Sequence, residues 1–158
     1  MRLTRGDSSL PERAAAFRQT GLMTSERPQV IVVDAANVVG SRPDGWWRDR
    51  PGAARRLLTK LAVLQQRLQD TTDIVVILEG AARAAVTGPD APDTGNLRVV
   101  LAPGSGDDTI AAVTAEAAAQ PQSPEVTVVT ADRGLRERTD PTGATAVGPR
   151  WLLDQLES

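Results

Sequence analysis

Five carboxylates and one amide in this sequence follow short apolar runs, and that placement is where chemistry is expected. Asp34 and Asn37 come after residues 30–33, Glu79 after 74–78, Asp107 and Asp108 after 97–101, and Asp132 after 126–130. Each run is short and rich in valine, isoleucine or leucine, as buried strands are. In an open parallel sheet, ligands bind beyond the carboxyl ends of the strands. Carboxylates delivered repeatedly to that rim suit a hard divalent cation, which prefers oxygen ligands. Two carboxylates about 5 Å apart repel by roughly 3 kcal/mol at an effective dielectric near 20. A converging cluster therefore needs a cation or must keep some members protonated.

Each acid also has an ordinary structural reading, and spacing alone leaves both open. Asp34 can cap the backbone of its own turn. Asp107 and Asp108 follow Gly104, Ser105 and Gly106, where a helix N-terminus favours negative charge whatever the function. Asp132 can cap the helix after it, and Glu79 has the longer side chain of a common surface acid.

Composition narrows the remaining chemistry. The chain of 158 residues has no cysteine and no histidine, so disulfides, thiolate metal sites and imidazole bases are excluded. Its sole lysine, Lys60, lies in a leucine-rich helical pattern rather than in a phosphate-binding glycine loop. Acid–base work must fall to carboxylates or to water on a metal. The net charge of −2 looks unsuited to nucleic acid, but with the five rim carboxylates set aside, 18 basic face 15 acidic residues. The basic charge is almost wholly arginine, which grips phosphate through two parallel hydrogen bonds. Arg133, beside the last acid, and Arg42, after the first strand, are the leading phosphate contacts, with Arg136 and Arg138 behind them. Trp46 and Trp47 could stack unpaired bases at the rim, or one of them could simply pin its loop.

The elements that position these groups follow from pattern. Residues 1–27 are polar and arginine-rich, with one capping signal at Ser9 and Glu12, and read as a flexible extension before a single domain over 28–158. Residues 38–50 read as a long loop. A helix begins near Pro51, with Leu57, Leu58, Leu61, Leu64 and Leu68 as its buried stripe. Further strands are expected at 73–78, 97–101, 126–130 and 144–147. Helices are expected at 106–119, through Leu135, and from Pro149 to the end. Five alternations of strand and helix define an α/β fold with a parallel sheet between two helical layers. No apolar run approaches the roughly 20 residues of a membrane span and no hydrophobic signal core is present, so a cytoplasmic protein is expected.

Three motifs, each behind a strand and in this order, carry a family resemblance. Val33-Asp34-Ala35-Ala36-Asn37, Gly106-Asp107-Asp108 and Val129-Thr130-Ala131-Asp132-Arg133 resemble the NYN-domain branch of the PIN-like nucleases, from Pro28 onward. The resemblance implies a five-stranded parallel sheet in order 3-2-1-4-5, a Mg²⁺ or Mn²⁺ site, and hydrolysis of RNA phosphodiesters, with single-stranded RNA as partner. It implies Asp34, Asp107, Asp108 and Asp132 as metal-binding acids and Asn37 as the group orienting water or phosphate. Glu79 stands where related flap-type nucleases carry an aspartate. The sequence departs from the family pattern at Ala36, where a tyrosine would precede the asparagine.

Two other readings compete with a metal-dependent ribonuclease. One is an RNA-binding protein that keeps this fold without cleavage. The other is a nucleotide- or phosphate-binding regulator, for which a glycine-rich turn after the first strand is expected and Asp34-Ala35-Ala36-Asn37 supplies none.

Overall fold

A computed structural model describes residues 27–68 and 70–157. The N-terminal extension and its Ser9/Glu12 signal lie outside the described residues. Strand β1 (Gln29–Asp34) is buried at every position, and it forms the middle of a five-stranded parallel sheet in order β3-β2-β1-β4-β5. Its neighbours are β2 (Thr72–Leu78) and β4 (Glu125–Val129), with β3 (Arg98–Leu101) and β5 (Thr145–Val147) at the edges. The register pairs Ile31 with Ile74 and Thr127, so the three central strands run level and end together.

Side chains alternate across β1, and each face has its own core. Ile31 and Val33 pack with Leu57, Leu58, Leu61 and Leu64 of helix α2 (Arg50–Arg67) and with Leu152 of helix α5 (Pro149–Glu157). Val30 and Val32 pack with Ile110 of helix α3 (Gly106–Ala118) and Leu135 of helix α4 (Arg133–Thr139). Burying each such side chain contributes about 1.5 to 3 kcal/mol. Both faces of the sheet are thus covered, which is why its strands read as continuous apolar runs.

The stretch after β1 differs from the expected long loop. Residues 35–40 form a short helix, α1 (Ala35–Gly40), because the Asp34 carboxylate accepts the Asn37 amide and caps it, while Val38 anchors it in the core. The chain then passes through a single 3₁₀ turn (Trp46–Arg48) into α2, where Asp49 is the cap and Pro51 sits in the first turn. Between α2 and β2 the buried Gln65 side chain splices the two elements. Its Nε2 donates to the Thr72 carbonyl and its Oε1 accepts the Ile74 N–H, both at 2.7 Å. The alanine-rich segment after Glu79 is a 3₁₀ stretch (Gly80–Val86) lying on α2. Among the described residues no helix is long and apolar enough to cross a membrane.

Candidate active site

The carboxyl ends of β1, β2 and β4, with the N-terminus of α3, bring the five acids to one rim. Asp34 is its buried centre, at 5% exposure. Its Oδ2 accepts the Thr130 hydroxyl at 2.9 Å and its Oδ1 accepts the Asn37 N–H at 3.3 Å. Thr130 Oγ1 in turn accepts the Asp132 N–H at 3.1 Å, so one buried hydroxyl links the acid ending β1 to the acid after β4. Sequence reasoning gave Thr130 no role. The available signal was its position two residues before Asp132, where a threonine hydroxyl commonly takes the backbone N–H of residue i+2.

Asn37 makes the second link between the strands. Its Oδ1 accepts the Ala131 N–H at 2.8 Å, which leaves the side-chain NH₂ as a donor at the rim. Asp132 uses its Oδ1 to cap α4 through the Leu135 N–H at 3.1 Å. Glu79 Oε1 accepts the Gly106 N–H at 2.9 Å, and Asp108 forms an exposed ion pair with Arg138 at 3.0 Å. Asp107 sits between these groups at the first turn of α3. Asp34 and Asp132 therefore do serve as helix caps, the structural role that the sequence left open for them, and Glu79 accepts a backbone N–H at the start of α3.

Electrostatics shows that they also face one another. Burial raises the Asp34 carboxyl above the usual range; the hydrogen bonds from Thr130 and Asn37 oppose this, and the charges of Asp107 and Glu79 add to it. Asp107 is raised too, first by partial desolvation and then by Asp132 and Glu79, with Arg138 pulling the other way. The donor set is all oxygen and carries excess negative charge, which fits Mg²⁺ or Mn²⁺ in chemistry. In spacing it is not closed: among the described residues no three carboxylates stand together so as to hold an ion.

The expected phosphate contacts separate on inspection. Arg133 is exposed and its guanidinium has no partner among the described residues. Arg136 is committed to structure, because its Nε donates to the Thr130 carbonyl at 3.0 Å and fixes the chain just before Asp132. Arg42 pairs with Glu157 across the α1–α5 junction. Trp46 and Trp47 meet edge to face at 6.1 Å, with Trp46 half-buried and Trp47 exposed.

A five-stranded parallel sheet in this order, with helices on both faces, is the α/β arrangement that the sequence resemblance implies. The crystal structure of Rae1 (YacP) from Bacillus subtilis, solved as a single-site mutant, shares it with a TM-score of 0.63 and 17% identity, over 82% of this chain and 75% of that one. At that identity the likeness is one of fold. No family model matches the chain, and no curated protein matches it.

Proposed function

We propose that this chain is a ribonuclease of the NYN branch of the PIN-like fold, hydrolysing phosphodiesters of single-stranded RNA in the cytoplasm with Mg²⁺ or Mn²⁺. The observation that carries the reading is the placement of Asp34, held at the rim by Thr130 and Asn37, where the charge of Asp107 bears on it. These acids come from different elements, one deeply buried, and each is pushed toward its protonated form by burial and by neighbouring negative charge. A cluster that serves only as caps gains nothing from converging, whereas a cation relieves it.

Asp34, Asp107 and Asp132 would hold the metal, with Asp108 and Glu79 as further ligands once released from Arg138 and Gly106. Bound there, a divalent ion would supply a nucleophilic water at neutral pH and would shield charge developing on the scissile phosphate. The chain's own groups do the rest. Thr130 fixes the Asp34 carboxylate through its hydroxyl. Asn37, with its carbonyl held by Ala131, presents its NH₂ to a phosphate oxygen or the attacking water. Arg133 has its guanidinium available for a phosphate.

A second reading, RNA binding without cleavage, is favoured by one observation. Glu79, Asp108 and Asp132 already have protein partners, and no three acids stand at ligand spacing. Incubation of a generic single-stranded RNA with Mn²⁺, comparing wild type with Asp34→Asn, separates the two. Cleavage that depends on Mn²⁺ and on Asp34 supports the nuclease. RNA binding with no Mn²⁺-dependent cleavage leaves the binding protein.

A further inference from the structure

A cavity of about 530 Å³ opens beside the carboxylate rim, and none of its lining residues is acidic. Asn37 and Ala131 form the wall it shares with the rim, while Trp46, Pro149, Leu153 and Arg150 line the remainder. We infer that this cavity is a base-binding subsite, taking one unpaired nucleobase of an RNA strand whose backbone lies along the carboxylate rim. The inference rests on the ribonuclease reading only for what the base is attached to.

Shape and chemistry both point to a base. Apolar side chains with an indole ring suit the flat faces of a heterocycle, and aromatic stacking accepts any base because each has a π-face. The Asn37 NH₂, whose partner oxygen is already held by Ala131, carries two N–H donors, and the one not used at the rim can meet the polar edge. Arg150 is largely exposed, and among the described residues its ion pair is a long one to Asp154 at 3.7 Å. A single loosely held cation is a weak site for a free phosphate. Without a carboxylate the cavity is also unsuited to a metal.

The indole is set in advance of any ligand. The Arg50 guanidinium lies 5.2 Å from the Trp46 ring centroid, and Trp47 meets the same ring at an interplanar angle of 88°. On the Gly40 side, a Cβ would lie 3.7 Å from the ring, an ordinary van der Waals distance, so the chain there backs the indole without crowding it. A side chain fixed before binding loses little entropy when the ligand arrives. Trp47 is 54% exposed and lines no part of the cavity, so it can act on a bound base only through its edge contact with Trp46.

The test compares adenosine 5′-monophosphate with ribose 5-phosphate, which carries the same phosphate and sugar but no base. Binding to the full chain is followed by ligand-observed NMR with EDTA present, so that metal and cleavage play no part. Adenosine 5′-monophosphate is expected to bind at least about tenfold more tightly than ribose 5-phosphate, and Trp46→Ala to remove most of that difference. Trp47→Ala should keep most of the preference for adenosine 5′-monophosphate, because Arg50 and the Gly40 backbone still lie against Trp46. Ala36→Leu places an isobutyl group on an exposed wall position of the cavity while keeping a good helix former. It should lose base binding with Trp46 intact, which covers failure of Trp46→Ala to fold. Equal binding of the two ligands, no binding of either, or unchanged affinity in Ala36→Leu would each overturn the subsite. Base binding in a chain that cleaves no RNA would leave the subsite standing and remove the nuclease reading.

Discussion

Glu79 Oε1 accepts the backbone N–H of Gly106 at 2.9 Å, so the acid that ends β2 braces the helix carrying Asp107 and Asp108. A Cβ on Gly106 would lie 2.8 Å from the Glu79 carboxyl carbon, closer than any side chain tolerates. The glycine of Gly106-Asp107-Asp108 thus permits the close approach of the Glu79 carboxylate rather than supplying backbone freedom. Gly106→Ala should displace the carboxylate and cost about 1 kcal/mol, a fall of roughly 2 to 4 °C in melting temperature. Glu79→Gln keeps an oxygen acceptor and removes a charge that bears on Asp34 and Asp107, so in EDTA it should melt at or above wild type. If both variants fell equally, the charge of Glu79 rather than its hydrogen bond would hold the helix.

Replacing an acid at the rim should separate catalysis from folding. Asp132→Asn keeps a competent helix cap, and Asp34→Asn keeps the side-chain volume. Both should fold while losing Mn²⁺-dependent cleavage by about a hundredfold or more. Thr130→Val removes the hydroxyl shared by Asp34 and the Asp132 backbone, and should lower activity by about 10 to 100-fold, the usual cost of losing an outer partner of a metal ligand. Cleavage rates beside circular dichroism spectra check all three. Wild-type rates in both aspartate variants would sink the catalytic assignment.

Two arginines of α4, Arg133 and Arg136, should behave oppositely. Arg133→Ala is expected to weaken all RNA sequences alike and to reduce the salt slope of binding by about one, as loss of a phosphate contact does. Arg136→Ala should instead lower the melting temperature, because it removes a donor from the Thr130 carbonyl. Salt-dependent RNA titrations and thermal melts on both variants give the comparison. A sequence-selective loss in Arg133→Ala would mean that this residue reads a base.

The raised carboxyls set the sign of the pH response. Asp34 and Asp107 titrate higher in the folded chain than the ordinary aspartate value of 3.8. The folded state therefore holds these protons to higher pH than the unfolded state does. Their contribution to stability falls as pH rises from about 4 through the folded value, and returns on acidification. Asp107→Asn should melt higher than wild type at neutral pH in EDTA, and the gap should close toward pH 4. Millimolar Mn²⁺ should raise the wild-type melting temperature and raise that of Asp107→Asn less, because ion and amide relieve the same repulsion. A wild-type melt that ignores Mn²⁺ would count against metal binding at that concentration.

Much of this architecture was legible from the chain alone. The valine-rich runs, the leucine stripe of α2 and the alternation of strand and helix specify a doubly covered parallel sheet, because side chains buried on both faces must be apolar throughout. The carboxylates after those runs follow from the same reading, since topology alone carries the ends of parallel strands to one rim. The resemblance carried by the three motifs supplied the strand order, which the register of β1 with β2 and β4 bears out.

Other features depended on contacts between residues far apart in sequence. Residues 38–40 read as the start of a long loop because their local signals are weak, yet the Asp34 cap and burial of Val38 make them the end of a helix. Arg136 and Arg133 have the same chemistry and differ only in that one reaches the Thr130 carbonyl. Trp46 and Trp47 are equivalent in sequence, and only the approach of Gly40 and the placement of Pro149 and Leu153 set one of them in a cavity. Hydrophobic period and strand-end chemistry are local properties, so the sequence by itself determined the sheet and its acidic rim. The hydrogen bonds of Thr130, Asn37 and Glu79 join residues from 27 to 96 positions apart, and only the folded chain decides which side chains meet across that distance.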